Sequence, residues 1–238
     1  MIETRGLKIT NRWTDNQIAL TLFVAVSFIY VALSRGVFLY GDDILMFQVT
    51  ESIVEHGSFA VTSPHDEGDN ARSIPGEDGR GYAKYGIGQS LVAIPLYVVS
   101  DLLLEPLLPL EAEYDPYGNQ RLGPIIYGTS LTNALLGGAA VALLWLLARA
   151  IGYSRRTAFV LALLLAFATP LAHYAATFLS EPLTMLALLA TVYGLVRASP
   201  RRDRSKTCPY EIRRSPGSLS PGSPPVWRWR RGSRSEWR

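Results

Sequence analysis

Cysteine is nearly absent. Cys208 is the only one in 238 residues, so no intrachain disulfide can form and cysteine usage is silent on redox compartment. The chain also lacks a phosphate-binding glycine motif, a zinc-ligand cluster and a nucleophile elbow, which leaves those routes to catalysis without support. No internal repeat relates one stretch to another, so the usual signature of a repeat-built transporter is missing. The most informative lack is of charge. Residues 122–148 and 157–180 contain no Lys, Arg, Asp or Glu over 27 and 24 positions. Each run exceeds the roughly 20 residues a helix needs to cross about 30 Å of hydrocarbon. A third uncharged run, residues 18–34, has 17 residues, and Arg35 after it can snorkel to the interface ahead of Val37-Phe38-Leu39. This patterning excludes a soluble globular domain and predicts an all-α, polytopic transmembrane bundle, because lipid offers backbone polar groups no other partner. A cleaved signal peptide is the competing reading of the first run, since Ala32-Leu33-Ser34 loosely resembles a cleavage site. The run is longer than an h-region of about 7–15 residues and further spans follow, which favours an anchor.

Charge sets the expected topology. Residues 40–85 hold nine acids against Arg72, Arg80 and Lys84 and read as a large external loop. Arg5, Lys8 and Arg12 place the amino terminus in the cytoplasm; Arg149, Arg155 and Arg156 do the same for the next linker, and Arg197, Arg201 and Arg202 for the exit of the last apolar run. All three clusters share one side only if residues 86–108 do not cross. Their uncharged part, residues 86–100, is 15 long, contains Pro95 and runs into Asp101 and Glu105, and so reads as an interfacial helix. The expected spans lie near 18–39, 123–148, 157–176 and 181–198, in a multi-pass protein of the cell (plasma) membrane. Gly137-Gly138 with Ala139 and Ala140 gives the second span a small-residue face for close helix packing.

Residues 199–238 break the pattern. They carry eleven Lys or Arg against three acids, a net of +8, whereas the preceding 198 residues carry 12 against 17, a net of −5. This Arg-, Ser-, Pro- and Trp-rich tail has no apolar period and reads as disordered. A frameshifted, non-native stretch is the favoured explanation; binding to anionic lipid headgroups is the next, and nucleic acid the least favoured, so no nucleic-acid partner is expected.

Chemistry concentrates at the external boundary. Directly after the first span come Gly41-Asp42-Asp43. Adjacent carboxylates there can act as a general base on a hydroxyl, hold a divalent cation, or sit solvated. Ile44, Phe47, Thr50/Glu51 and Val54 recur at helical spacing and predict an amphipathic helix lying on the membrane. Tyr82, Lys84 and Tyr85 pair aromatic rings with a cation just before the interfacial run, a cradle for a phosphate at headgroup depth or an ordinary aromatic-belt anchor. Ser180-Glu181-Pro182 sets a carboxylate at the start of the fourth span, near His173-Tyr174; Glu181 is a functional candidate or a helix-terminus charge that suits the dipole. The stretch Asp66-Glu67-Gly68-Asp69-Asn70 lacks EF-hand spacing and reads as a surface loop.

In this order and membrane placement the chain resembles the GT-C glycosyltransferases, polytopic enzymes that include protein mannosyltransferases and bacterial aminoarabinose transferase-like proteins. The resemblance covers roughly residues 15–198. It rests on a span followed by Gly41-Asp42-Asp43 and a stretch ending in His56-Gly57-Ser58-Phe59, then Tyr82-x-Lys84-Tyr85-Gly86, then Arg121 entering a span that ends Leu147-Ala148-Arg149, and finally Ser180-Glu181-Pro182-Leu183. It implies transfer of a sugar from a polyprenyl-phosphate carrier, at the bilayer, to an acceptor hydroxyl of a glycan, lipid or protein on the external face. It further implies Asp42 as catalytic base with Asp43 as neighbour or alternate, Lys84 near the carrier phosphate with Tyr82 and Tyr85, and Glu181 with His173 shaping an acceptor or metal site. No cofactor is implied beyond a divalent cation as an option. Such enzymes usually have eight or more spans, so about four predict an amino-terminal portion of doubtful activity. A small transporter or scaffold subunit without catalysis is the alternative.

Overall fold

The structure is a computed structural model that describes residues 13–34, 36, 38, 41–61, 73–107, 113–114, 120–121 and 123–199. The amino-terminal basic residues, the 66–70 acidic loop and the basic tail lie outside the described residues. The chain divides into two units, Met1–Arg197 and Ala198–Arg238; of the second, only Ala198 and Ser199 are described.

Helix α1 (Asp15–Leu33) starts where Thr14 and Gln17 form a capping box, which satisfies amide donors that the first turn would otherwise leave bare. Helix α2 (Gly41–His56) ends at Gly57, whose φ of 62° places it in the left-handed region. The strands β1 (Ala60–Val61), β2 (Ser73–Pro75) and β3 (Gly81–Ala83) form a small antiparallel sheet in the order β1-β3-β2. Helix α3 (Gly88–Val99) continues through a π-helical turn (Ser100–Leu104) into α4 (Glu105–Leu107). An antiparallel pair of two-residue strands, β4 (Glu113–Tyr114) and β5 (Gln120–Arg121), precedes α5 (Pro124–Ile151). Then follow α6 (Arg155–Phe167), α7 (Leu171–Ala175) and α8 (Glu181–Ala198).

Three of these helices are long and apolar enough to cross a membrane: Asp15–Leu33, Pro124–Ile151 and Glu181–Ala198. The protein is an all-α membrane protein with its polar and β-structured residues gathered in the α1–α5 connection. Packing follows the inverted logic of lipid-facing bundles. On α1, Leu20, Val24 and Phe28 recur every fourth residue and are exposed, while Leu22, Val26 and Tyr30 are buried. The buried side lies against α5, where Gly138 leaves no room for a side chain: a Cβ there would run into the Ser27 hydroxyl and stand 2.9 Å from the Phe23 carbonyl oxygen. Gly137 meets the Tyr30 ring and Ala175 in the same way. The small-residue face expected on the second span is therefore the α1–α5 contact. Ala158, Ala162 and Ala166 on α6 form a second small-residue stripe, fully buried in the same core.

At one end of the bundle Asp15 gathers three helices. Its carboxylate accepts from Arg149 Nε at 2.9 Å and from Arg155 Nε at 3.0 Å, and its backbone carbonyl accepts from Trp145 Nε1 at 3.0 Å. The start of α1 thus adjoins the end of α5 and the start of α6, so α1 and α5 run antiparallel.

Two expectations are corrected. The single helix expected over residues 157–176 is two helices, because Thr169-Pro170 interrupts it. Proline has no N–H to offer the carbonyl four residues back. That carbonyl, on Ala166, instead accepts from the Tyr30 hydroxyl at 2.8 Å in the buried core. Tyr30→Phe leaves it without this partner and is expected to cost about 1–3 kcal/mol; reversible unfolding in mixed micelles measures this, and Pro170→Ala in the same background should restore part of the loss. Second, α2 does not lie with one apolar face on the membrane. Met46 and Phe47 pack with Phe38, Ala93, Tyr97 and Phe178, while Leu45 and Val49 pack with Val61 on the sheet side. Apolar residues at 44–47, 49, 53 and 54 cover most of the helix circumference, and protein covers it from both sides.

Candidate functional site

The first turn of α2 carries Asp42 and Asp43, where negative charge suits the helix dipole. Asp43 is fully buried and Asp42 partly so. Lys84 stands exposed in the bend between β3 and α3, its ammonium 5.0 Å from the centre of the Tyr85 ring. Its pKa is held above the ordinary lysine value first by the Tyr85 side chain and, more weakly, by attraction to Asp42. A raised lysine pKa keeps the group cationic through the neutral range. Tyr85 packs between the two apolar clusters that flank α2, which fixes the lysine bend against the helix bearing the carboxylates. The Lys84–Tyr85 bend is thus set against α2, the helix on whose first turn Asp42 stands.

Tyr82 is engaged elsewhere. Its hydroxyl donates to Asp78 Oδ2 at 2.8 Å across the β2–β3 turn; that bond holds the Asp78 carboxyl below its usual range and lifts the phenol above its own. His173, exposed on α7, packs edge-on against Tyr174 at 5.6 Å. Glu181 is exposed at the first residue of α8. The start of α8 adjoins the start of α3, with Leu183 Cδ2 3.6 Å from where a Cβ would stand on Gly88. Ser180, Glu181 and Thr184 with Met185, Leu188 and Leu189 form one open face of α8, polar at its start and apolar farther along. Among the described residues, no three His, Cys, Asp or Glu side chains gather in a way that could hold a metal ion.

Two groups of residues escape a reading based on charge and period. Gln89 and Asn133 hydrogen-bond in the interior at 2.7 Å; the available signal was a carboxamide inside a 27-residue uncharged run, since intramembrane polar groups are functional candidates. The second is Tyr97, whose hydroxyl donates to Glu55 Oε1 at 2.7 Å. Burial, then this bond to a carboxylate, drive the Tyr97 phenol upward. Nearby Glu51 is raised above 4.5, first by burial and then by Glu55. A carboxyl whose folded pKa lies above its unfolded value destabilises the fold once ionised; that cost is absent below the unfolded value and complete above the folded one. Glu51→Gln should therefore stabilise the protein at neutral pH, with the gain disappearing as pH falls to 4.5 and below. Thermal unfolding of the detergent-solubilised protein at the two pH values is the check.

Fold and site together define a polytopic all-α membrane protein with a polar, carboxylate- and lysine-bearing head between its first two long helices. Within that class, residues 118–211 match the family model described as dolichyl-phosphate-mannose-protein mannosyltransferase. The matched stretch takes in α5, α6, α7 and α8 and supports a membrane glycosyltransferase of the GT-C type. No curated protein and no solved structure matches the chain.

Proposed function

We propose that the protein transfers a sugar from a polyprenyl-phosphate carrier to an acceptor hydroxyl on the external face of the cell membrane. The observation that carries this reading is the seating of the Lys84–Tyr85 bend against α2, the helix whose first turn bears Asp42 and Asp43, just before the start of α3. The first turn of α3 has no side-chain cap and follows the exposed Gly86 and Ile87. In the proposed reaction Asp42 takes the proton of the acceptor hydroxyl and the oxygen attacks the anomeric carbon. The bond from that carbon to the phosphate oxygen breaks, and polyprenyl phosphate departs with the electron pair, its charge balanced by Lys84. In-line attack inverts the anomeric carbon. Glu181 and His173 would border the acceptor side.

The pairing of Asp15 with Arg149 and Arg155 supports the topology as well. With α1 and α5 antiparallel, the connection between them begins and ends on one side of the bilayer, which favours α3 as an interfacial element. The acidic balance of residues 40–85 favours the external side for that connection and the cytoplasm for the amino terminus.

The test is polyprenyl phosphate binding by the full chain in nanodiscs. Lys84→Ala should weaken it by about tenfold or more, the value of a charge-assisted phosphate contact. Equal affinity in the variant and the parent would remove Lys84 from the site and the reading with it.

A further inference from the structure

The Gln89–Asn133 contact belongs to a larger buried node. Gln89, in the first turn of α3, is 1% exposed and Asn133, on α5, is 0% exposed. Gln89 Nε2 donates to Asn133 Oδ1 at 2.7 Å, while Asn133 Nδ2 donates to the Leu179 carbonyl at 2.7 Å and to the Tyr174 carbonyl at 3.3 Å. These partners fix both carboxamides: only a nitrogen can serve two carbonyls, so the Asn133 oxygen must accept, and only the Gln89 nitrogen supplies it. One side chain on the longest helix therefore joins α3 to the link between α7 and α8.

The joined segments are those that bear the candidate groups. Lys84 lies five positions before Gln89, in an exposed bend. Glu181 lies two positions after Leu179, at the head of a helix whose only buried residue is Pro182. The first turn of α8 is held by the Leu179 carbonyl bond to Asn133 together with the packing of Phe178, Pro182 and Met185, and Leu183 lies beside Gly88 at the start of α3. In a low-dielectric interior such a network is worth more than a surface one, and an arrangement of fixed donors and acceptors has few alternatives.

We propose that Asn133 is a positioning residue that holds the carrier-phosphate bend, residues 84–88, at a fixed offset from the acceptor-side link, residues 176–181. The naming of the two sides rests on the glycosyltransferase reading above; the mechanical link between them does not. Asn133 itself touches neither donor nor acceptor. It acts through Gln89 on one side and through the Leu179 backbone on the other.

The experiment uses the full chain in nanodiscs in a Cys208→Ser background, with nitroxides at Ile87→Cys and Thr184→Cys, both exposed. A second pair, at Phe28→Cys and Leu135→Cys, reports α1–α5 packing. Asn133→Leu should broaden the 87–184 distance distribution and leave the 28–135 distribution unchanged, and affinity for polyprenyl phosphate should fall about tenfold as the bend loses its fixed geometry. Gln89→Met, which breaks a single hydrogen bond, should give a smaller broadening and carries the same test should Asn133→Leu fail to fold. An unchanged 87–184 distribution in both variants, or equal broadening of both label pairs, overturns the proposal: the first shows no link, the second a merely structural residue. The underlying reading is judged separately by Lys84→Ala in the same nanodiscs. If that variant binds polyprenyl phosphate as the parent does while Asn133→Leu still broadens the distances, the glycosyltransferase reading fails and the mechanical link stands.

Discussion

Asp42→Asn is expected to reduce sugar transfer by about 10²–10⁴-fold while leaving polyprenyl phosphate affinity within a few-fold of the parent. The amide keeps the size and the helix-terminal position of the side chain but cannot take a proton from the acceptor hydroxyl. Affinity is spared because the proposed phosphate contact belongs to Lys84. Release of polyprenyl phosphate from a glycosylated carrier, followed in reconstituted vesicles, measures the first quantity, and binding in nanodiscs the second. Asp43→Asn should behave differently. Asp43 is fully buried, so its replacement should lower the stability of the α2 start as well as any rate. A neutral Asp42 variant with parental turnover would take the base role away from that position.

Gly138→Leu should be the most damaging single change in the bundle. The obstacle on the facing helix includes the Phe23 carbonyl oxygen, 2.9 Å from a Cβ, and backbone cannot rotate aside as a side chain can. Overpacking in a core typically costs about 1–3 kcal/mol and occasionally more; a clash with backbone along the principal helix contact belongs at or beyond the upper end. The helices would have to separate, with consequent loss of the Asp15 contacts to Arg149 and Arg155. Gly138→Ala should show a reduced form of the same defect, and Gly194→Ala, with nothing within 4 Å of its Cβ position, should be tolerated. Unfolding midpoints of the three variants in the same detergent give the ranking.

The long helices were legible because a hydrocarbon environment leaves a coarse record: uncharged runs of spanning length, bracketed by arginine. The glycine pair was legible as a packing surface for a related reason, since small residues serve few other purposes mid-membrane. The break after Phe167 was half-legible. Pro170 stands in plain view inside the run, but the rescue of the Ala166 carbonyl by Tyr30 joins residues 136 positions apart and leaves no local trace. The small sheet β1-β3-β2 also went unforeseen, because two- and three-residue strands are too short to establish an alternating pattern. Helix α2 misled because its apolar residues satisfy helical spacing along one line while others fill the remaining faces; a helix buried on two sides contains an amphipathic one as a subset.

At the candidate site, charge made Asp42 and Lys84 visible, and their order along the chain made a shared neighbourhood credible. Asn133 and Gln89 carry no charge and interrupt no hydropathy window. Their importance comes from where three separate segments meet, which is a property of the fold and not of any window of sequence. Tyr82 shows the converse: the aromatic-cation pattern includes it, yet its hydroxyl is taken by Asp78.

The slight burial of α8, 6% of its apolar window, separates two contributions that most membrane helices combine. Partition into lipid depends on apolar composition; association with other helices depends on side-chain packing, which α8 makes through Pro182 and Met185 near its start. Among the described residues α1, α5 and α6 share the main apolar core, and α8 reaches it through Met185 near its start. A polar substitution halfway along it, at the exposed Leu188 for instance, is expected to raise the cost of insertion while leaving the unfolding midpoint of the α1–α5–α6 core at the parental value.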